Sequence, residues 1–174
     1  RHHQLEKQVI QSADCVVVVS NDMVDEFSRL PHQRIEMITN GFDAADVSGR
    51  ALTPDSMFTL SHIGTLNAAR NPKTLWKVLG EISSADEKFR SDLKIQLIGK
   101  TDFSVLEDIE KFGLTPRLEK TEYLPHSEAN ARQQTSQILL LLINNTANAK
   151  GILTGKFFEY LSAGRPILAV GPVD

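Results

Sequence analysis

Short apolar runs of strand length recur along this chain, and they constrain its fold more than any other feature. Residues 16–19 and 138–143 are unbroken apolar runs, which are typical of strands buried on both faces of a parallel sheet. Phe58–Ile63, Leu93–Ile98 and Ile167–Val170 have similar lengths, and apolar residues at helical spacing lie between the runs. This alternation predicts an α/β fold with a doubly wound, Rossmann-like parallel sheet.

The segments between these runs carry helix start signals. Ser20 or Asn21 can cap the helix that follows the first run, and Ser127 can cap a polar helix later in the chain. Charged residues 86–92 are predicted to form a solvated connection. The other predicted elements are helices over residues 72–82, 103–112 and 127–134, a strand over residues 35–38 and a short edge strand over residues 117–123.

A change of composition near residue 44 divides the chain. Residues 44–57 are small, polar and contain Gly and Pro, which is typical of a linker. We therefore expect residues 1–43 to be the tail of one domain and residues 58–174 to form a second, Rossmann-like domain. The chain opens within a helical pattern and ends directly after a strand, so we expect a fragment of a longer protein.

Charge, cysteine content and missing motifs exclude several classes of protein. The net charge of −3 makes nucleic acid and anionic membrane surfaces unexpected partners. No apolar run approaches the roughly 20 residues of a transmembrane helix, so we expect a cytoplasmic protein, with the inner face of a membrane as an alternative location. Cys15 is the only cysteine, and its apolar surroundings predict a buried, reduced thiol. Spacings typical of zinc sites are absent from the sequence, so no metal site is expected. Motifs of serine hydrolases and Walker phosphate loops are absent as well, so those classes of protein are not expected.

The most specific local pattern is a turn that leads into a helix near the end of the chain. Thr154 and Gly155 are predicted to start this helix, and Gly164 is predicted to end it. Backbone N–H groups at a helix N-terminus bind anions, and the Lys156 ammonium would lie beside them. Glu159 follows one turn later on the same side, so the turn predicts a diphosphate site. The alternative is a surface ion pair between Lys156 and Glu159 without a ligand.

Two strings of residues resemble one family of enzymes. From Lys156 to Pro166 the chain has the pattern K-x-x-E-Y-x-x-x-G-x-P, and residues 37–43 read M-I-T-N-G-F-D. These strings resemble the GT-B glycosyltransferases, in particular a K-x-x-E subgroup of the "group 1" retaining family with its E-x7-E motif. The resemblance implies that residues 58–174 are the C-terminal, nucleotide-sugar-binding domain. It also implies that residues 1–43 belong to the N-terminal, acceptor-side domain.

The same resemblance gives donor-binding roles to residues of the turn. Glu159 would accept hydrogen bonds from the ribose hydroxyls, because a carboxylate can accept two such bonds at once. Lys156, Thr154 and Gly155 would face the diphosphate. The first glutamate of the E-x7-E motif is missing, since Gly151 stands in its place.

A second cationic stretch follows the run Phe58–Ile63. In the family, a G-R-L-x-x-x-K-G string clamps the donor diphosphate, and here the string starting at Gly64 reads G-T-L-N-A-A-R-N. Thr65 replaces the first arginine, so the resemblance moves the phosphate role to Arg70 and to Lys73. The alternative for either side chain is a surface cation beside a helix start.

Two further loops complete the candidate donor site. Tyr123 and Leu124 would read the nucleobase through main-chain groups, by resemblance to the family loop before a proline. Gly99 follows a strand, where a glycine either lets a ligand approach or only turns the chain. All these loops follow the carboxyl ends of predicted parallel strands, where open sheets bind their ligands.

The resemblance implies an enzyme that transfers a sugar, with retention and without a bound metal or other cofactor. The donor would be a UDP-sugar or a GDP-sugar, and the acceptor a saccharide or lipid-linked molecule held by the missing part of the N-terminal half, as in polysaccharide biosynthesis. Arg70, Lys156 and Glu159 are the candidate catalytic residues. The isolated chain is expected to bind nucleotide weakly and to transfer nothing. Two alternatives remain, a GT-B-like UDP-sugar 2-epimerase and a non-catalytic nucleotide-binding module.

Overall fold

The described strands all pair in parallel, as the alternation of strands and helices predicts. The computed structural model describes residues 2–44, 52–146 and 154–172. Within these ranges the strands form one two-stranded sheet and one five-stranded sheet. No helix in the same ranges is both long enough and apolar enough to cross a membrane.

The chain divides into two units, and each unit contains one of the sheets. The first unit consists of residues 1–42 and 146–158, and the second consists of residues 43–145 and 159–174. Helix α7 (Gly155–Ser162) begins in the first unit and ends in the second.

The first unit contains a short βαβ arrangement. The Ser20 side chain accepts a hydrogen bond from the Met23 amide at 3.3 Å, which confirms the predicted cap of the helix after the first strand. The elements of the first unit are α1 (His2–Ser12), β1 (Val16–Val18), α2 (Asn21–Phe27) and β2 (Ile35–Met37).

Two predictions about the start of β1 are wrong. In the part of the chain that the structure describes, β1 pairs only with β2 and is not a central strand, and the side chain of Val17 is 58% exposed. Cys15, predicted to be buried, lies just before β1 and is exposed. A two-stranded sheet covers few of its own side chains, so an unbroken valine run does not ensure burial on both faces.

The second unit holds the five-stranded sheet, with helices between its strands. Its strands are β3 (Phe58–Ile63), β4 (Leu93–Ile98), β5 (Leu118–Thr121), β6 (Ile138–Leu142) and β7 (Ile167–Val170). Its helices, besides the end of α7, are α3 (Lys73–Ala85), α4 (Glu87–Asp92), α5 (Phe103–Lys111) and α6 (His126–Thr135). The strand order β5-β4-β3-β6-β7 confirms the predicted α/β fold. The topological switch point, where the strand order reverses, lies between β3 and β6.

Strand β3 is paired very differently with its two neighbours. All six residues of β3 pair with residues of β4. Pairing with β6 is limited to Leu60 and Ser61, and the later residues of β6 pair with β7 instead. The strands β3 and β6 therefore separate toward their carboxyl ends, which is the position where open parallel sheets bind ligands.

One face of this sheet carries the apolar core. Its buried side chains come from the strands and from α3 and α5, and Trp76 on α3 is fully buried among them. The other buried members include Leu60, Ile95, Leu97, Val105, Ile109 and Leu140.

The opposite face carries a row of polar side chains across three strands and the start of a fourth. The Ser61 hydroxyl donates to Gln96 Oε1 at 3.1 Å, and Gln96 Nε2 donates to Glu119 Oε1 at 3.0 Å. Ser136, just before β6, extends this row, because its hydroxyl oxygen lies 2.7 Å from that of Ser61. At the outer end, a hydrogen bond from the Lys94 ammonium holds the pKa of Glu119 below its usual value. We call Ser136, Ser61, Gln96 and Glu119 the polar row.

Two predictions in the second unit are wrong. Residues 86–92 were expected to be a connection but contain α4, because the Asp86 carboxylate caps the helix by accepting the Phe89 amide at 2.9 Å. The Phe89 ring also packs against Phe58, with ring centres 5.8 Å apart. Ser127 does not cap α6, since the helix begins one residue earlier and has no side-chain cap.

Candidate functional site

A cleft of about 410 Å³ opens where β3, β6 and β7 end. The loop after β3 forms one wall, and residues that follow β6 and β7, such as Ile143 and Pro172, form the other. Among the described residues that line this cleft, Arg70 and Lys73 are cationic and none is acidic. The volume suits a small-molecule ligand and the charge suits an anion. We call this the Arg70 cleft.

The loop after β3 is fixed against the loop after β4. The amide of the buried Leu66 donates to the Lys100 carbonyl at 2.9 Å, and the Leu66 carbonyl accepts the Asp102 amide at 2.8 Å. The Gly64 amide donates to the Ile98 carbonyl at 2.7 Å. The base of the loop therefore has a defined backbone path ahead of the cleft.

The backbones of Gly64 and Gly99, which follow β3 and β4, lie in close contact. Their φ angles are 132° and 118°, which favour glycine. A Cβ atom on Gly99 would lie 2.6 Å from the Gly64 carbonyl oxygen. Close packing of two backbones therefore accounts for Gly99, and its predicted role in ligand binding stays a prediction.

Arg70 is held at both its backbone and its side chain. It ends a short 3-10 helix, and its amide donates to Asn67 Oδ1 at 3.1 Å. Its Nε donates to Asn144 Oδ1 at 2.6 Å. The terminal guanidinium nitrogens make no hydrogen bond or ion pair with any residue that the structure describes, so they are available to an anion in the cleft.

Lys73, the first residue of α3, is the second cation of the cleft. Its Nζ lies 3.5 Å from Asp108 Oδ2; the lysine side chain is 69% exposed, whereas that of Asp108 is 13% exposed. Asp108 also accepts from Asn71 Nδ2 at 2.7 Å. The Asp108 carboxylate offsets part of the Lys73 charge, so Arg70 carries the less compensated positive charge of the two.

Two side chains make hydrogen bonds to backbone groups where β3 and β6 separate. The Tyr160 hydroxyl, from α7, accepts the Ile63 amide at 3.1 Å. His62 Nδ1 donates to the Leu140 carbonyl at 2.9 Å. Burial raises the pKa of the Tyr160 hydroxyl well above its usual value, so the group stays neutral. These side chains satisfy backbone groups that a fully paired β6 would satisfy.

The remaining predicted site residues are distributed over both units. Glu159 is half-buried and precedes Tyr160 on α7, whose hydroxyl contacts the Ile63 amide at the carboxyl end of β3. Thr154 comes just before α7, while Gly155 and Lys156 form its first turn, within the first unit. Gly151, where the family has its first glutamate, lies outside the described residues.

Arg70 and Lys73 line the Arg70 cleft and Gly64 begins the loop that leads to it, whereas the predicted base-reading loop lies elsewhere. Tyr123 and Leu124 follow β5, which is an edge strand separated from β3 by β4. They do not line the Arg70 cleft, and the Tyr123 side chain is 80% exposed. The described residues contain no group of three or more His, Cys, Asp or Glu side chains that could hold a metal ion.

Sequence reasoning missed two contacts that shape the site. The sequence patterns assign no role to Asn144, although it follows directly on the apolar run that contains β6 and so stands at the carboxyl end of a strand. Tyr160 enters those patterns only as part of a motif, which does not predict its hydrogen bond to Ile63. The polar residue after a strand is a usable signal for Asn144, whereas nothing local indicates the partner of Tyr160.

Comparisons with solved structures reveal similar folds. HepE from Anabaena, in complex with UDP and glucose, has a TM-score of 0.69 at 15% identity over 95% of this chain and 47% of its own. Sucrose-phosphate synthase from Thermosynechococcus elongatus has a TM-score of 0.64 at 16% identity over 95% of this chain and 43% of its own. TarM from S. aureus, whose complex includes UDP, has a TM-score of 0.69 at 12% identity over 96% of this chain and 32% of its own. No family model and no curated protein matches the chain.

These likenesses establish the architecture. The chain has the fold of part of a GT-B glycosyltransferase, which confirms the predicted fold class. It spans less than half the length of each of the three structures named above. The epimerase alternative is not favoured, since these neighbours are described as a synthase or as complexes that contain UDP.

Proposed function

We propose that this chain is the donor-binding part of a glycosyltransferase that uses a nucleoside-diphosphate sugar. The observation that carries the proposal is the Arg70 cleft, a cationic opening at the point of the sheet where β3 and β6 separate. The fold supports it, because structures that share this fold are described as complexes with UDP. A nucleoside diphosphate has the size and charge that such a cleft accepts.

The chemistry follows from where charge develops during transfer. As the bond between sugar and diphosphate breaks, negative charge grows on the leaving diphosphate, and fixed cations stabilise that charge. Arg70 is the main candidate for this role, since its fork of terminal nitrogens can bind phosphate oxygens in a bidentate way. Lys73 would add a weaker, partly compensated charge.

Other roles in this proposal rest on the resemblance in sequence. Lys156, with Thr154 and Gly155, would bind the diphosphate, and Glu159 would hold the ribose hydroxyls. Gly99, Tyr123 and Leu124 would contact the nucleotide through their backbones. UDP is the first candidate nucleotide and GDP the second.

The finer features of the reaction are part of the same proposal. Transfer would occur with retention and without a metal cofactor, to a saccharide or lipid-linked acceptor, in polysaccharide biosynthesis. The reaction would take place in the cytoplasm or at the inner face of a membrane. The isolated chain would bind nucleotide without transferring sugar.

Calorimetric titration of the whole chain with UDP and with GDP tests the donor site. We expect UDP to bind and Arg70→Ala to weaken its binding by about 10- to 100-fold, which corresponds to the loss of charge-assisted hydrogen bonds. Lys156→Ala and Glu159→Ala should also weaken binding, because the proposal places both side chains on the nucleotide.

Lys77→Ala is the matched control for the loss of a positive charge. Lys77 lies on α3, one turn after Lys73, and its Nζ lies 3.7 Å from Glu81 Oε1 rather than in the cleft. Its removal should leave UDP affinity unchanged. Absence of UDP and GDP binding by the folded chain, or equal effects of Arg70→Ala and Lys77→Ala, would overturn the proposal.

A further inference from the structure

A short hydrogen bond beside the cleft joins two residues far apart in the sequence. Arg70 lies in the loop after β3, and Asn144 lies two residues beyond the end of β6. Arg70 Nε donates to Asn144 Oδ1 at 2.6 Å, across a sequence separation of 74 residues. The contact therefore spans the gap that opens between β3 and β6.

Because of the geometry of the guanidinium group, this contact uses Nε and leaves the two terminal nitrogens free. The Nε–H takes no part in the end-on fork formed by the two terminal nitrogens, so engaging it leaves that bidentate fork available. A partner at Nε also fixes the plane of the group. Among the described residues, Asn144 alone hydrogen-bonds or pairs with the Arg70 side chain.

The partner is neutral, and this distinguishes Arg70 from the other cation of the cleft. Lys73 faces the Asp108 carboxylate, which offsets its charge. Asn144 accepts a hydrogen bond without adding a negative charge, so Arg70 keeps its full charge for a ligand. A free arginine side chain loses about 1.5–2 kcal/mol of rotamer entropy when it is ordered, and a side chain that is already held loses less on binding.

We infer that Asn144 is a positioning residue for the donor diphosphate. It holds the Arg70 guanidinium by its Nε, so that the terminal nitrogens meet the phosphates already oriented and with their charge intact. Asn144 does not line the cleft, so it acts through Arg70 rather than by touching the ligand. This inference rests on the proposed function.

A double-mutant cycle in nucleotide affinity tests the inference. Asn144→Ala should weaken UDP binding by about five-fold, the usual effect of losing the preorganisation of one long side chain. Uridine, which lacks the phosphates, should bind both proteins equally. In the Arg70→Lys background the lysine has no Nε–H donor, and there Asn144→Ala should change UDP affinity by less than about two-fold.

Two further variants separate positioning from a general structural effect. Asn145→Ala truncates an asparagine at the next position, and no hydrogen bond joins Asn145 to Arg70. Its effect on UDP affinity should therefore be the same with and without the Arg70→Lys substitution. Asn144→Asp keeps the acceptor but adds a negative charge beside the guanidinium. It should bind UDP at least as weakly as Asn144→Ala.

A ligand-free measurement checks the contact itself. In nitrogen-15 spectra, the Arg70 Nε–H should exchange slowly with water, and Asn144→Ala should accelerate that exchange several-fold. Fast exchange in the unsubstituted protein would overturn the inference.

The binding results distinguish the two proposals. Arg70-dependent UDP binding without coupling to Asn144 would overturn the positioning role and leave the proposed function standing. Absence of both UDP and GDP binding by the folded protein would overturn both. Recovery of full UDP affinity by Asn144→Asp would contradict the requirement for a neutral partner.

Discussion

The two flanks of β3 are held together by different kinds of interaction. Toward β4, the backbone pairs along the whole strand, and the loops that follow are tied by further backbone hydrogen bonds. Toward β6, the backbone pairs at two residues only, and the side chains of His62 and Tyr160 satisfy backbone groups beyond them.

The difference indicates how one sheet combines stability with an open site. Regular pairing and apolar packing exclude water and leave no room for a ligand. Replacing part of a backbone ladder with buried side chains keeps the polar groups satisfied while the strands separate. In this protein the Arg70 cleft lies on the separated flank, and the three predictions below probe each flank in turn.

The largest effect is expected from Trp76→Ala, on the regular flank. Trp76 is fully buried in the apolar core and donates from Nε1 to Asn71 Oδ1 at 2.9 Å. Its truncation should lower the free energy of unfolding by about 3–5 kcal/mol, since it leaves a cavity and an unpaired amide. Urea unfolding followed by circular dichroism measures this, because the substitution removes the only tryptophan and its fluorescence.

Val78→Ala provides the comparison for that measurement. Val78 lies on the same helix but is exposed, so its truncation should change the free energy of unfolding by less than about 0.5 kcal/mol. Equal effects of the two substitutions would mean that the apolar core does not dominate the regular flank.

A smaller loss is expected from Gly99→Ala, where the two loops of the regular flank meet. The substitution combines an unfavourable φ with a steric contact to the Gly64 carbonyl, and should cost about 3 kcal/mol. Thermal unfolding checks this value. Gly41→Ala is the matched control, because no atom of the described residues, apart from its chain neighbours, lies within 4 Å of a Cβ built there, and its φ is not positive; it should be nearly neutral. A neutral Gly99→Ala would show that the loops are not closely packed.

The smallest of the three effects is expected from Tyr160→Phe, on the separated flank. The change removes the acceptor of the Ile63 amide without changing side-chain volume greatly, and should cost about 1–2 kcal/mol. Hydrogen exchange at the Ile63 amide should become faster. Tyr123→Phe is the control, since that hydroxyl belongs to an exposed side chain and should have no effect. An unchanged exchange rate at the Ile63 amide would mean that the Tyr160 hydroxyl does not take the place of a hydrogen bond between the strands.

The positions of most strands could be predicted from the sequence because they depend on local patterns. Phe58–Ile63, Leu93–Ile98 and Ile167–Val170 have the predicted bounds. The first two mix apolar with polar residues and are each followed by glycine, and the third is an apolar run between proline and glycine. Helix α4 was missed because it is short and only Phe89 anchors it. The exposure of Cys15 was missed because burial depends on how many strands cover a sheet.

The site could be predicted only in part, for a related physical reason. Arg70 was expected in the loop after Phe58–Ile63 and Lys73 at the start of the next helix, and both residues line the cleft. Their partners could not be read from spacing, because Asn144 and Asp108 lie on elements brought near only by the packing of the sheet. The hydrogen bond between Ile63 and Tyr160 spans 97 residues and likewise has no local signature.

The polar row has a consequence for how the strands find their partners during folding. Its members must face one another across three strands, and a shift of β4 by one residue would turn Gln96 to the apolar face. An amide held between a hydroxyl and a carboxylate would lose both hydrogen bonds in such a shift and leave buried polar groups unsatisfied. The polar row therefore adds little to stability, but it specifies a single register of β3, β4 and β5.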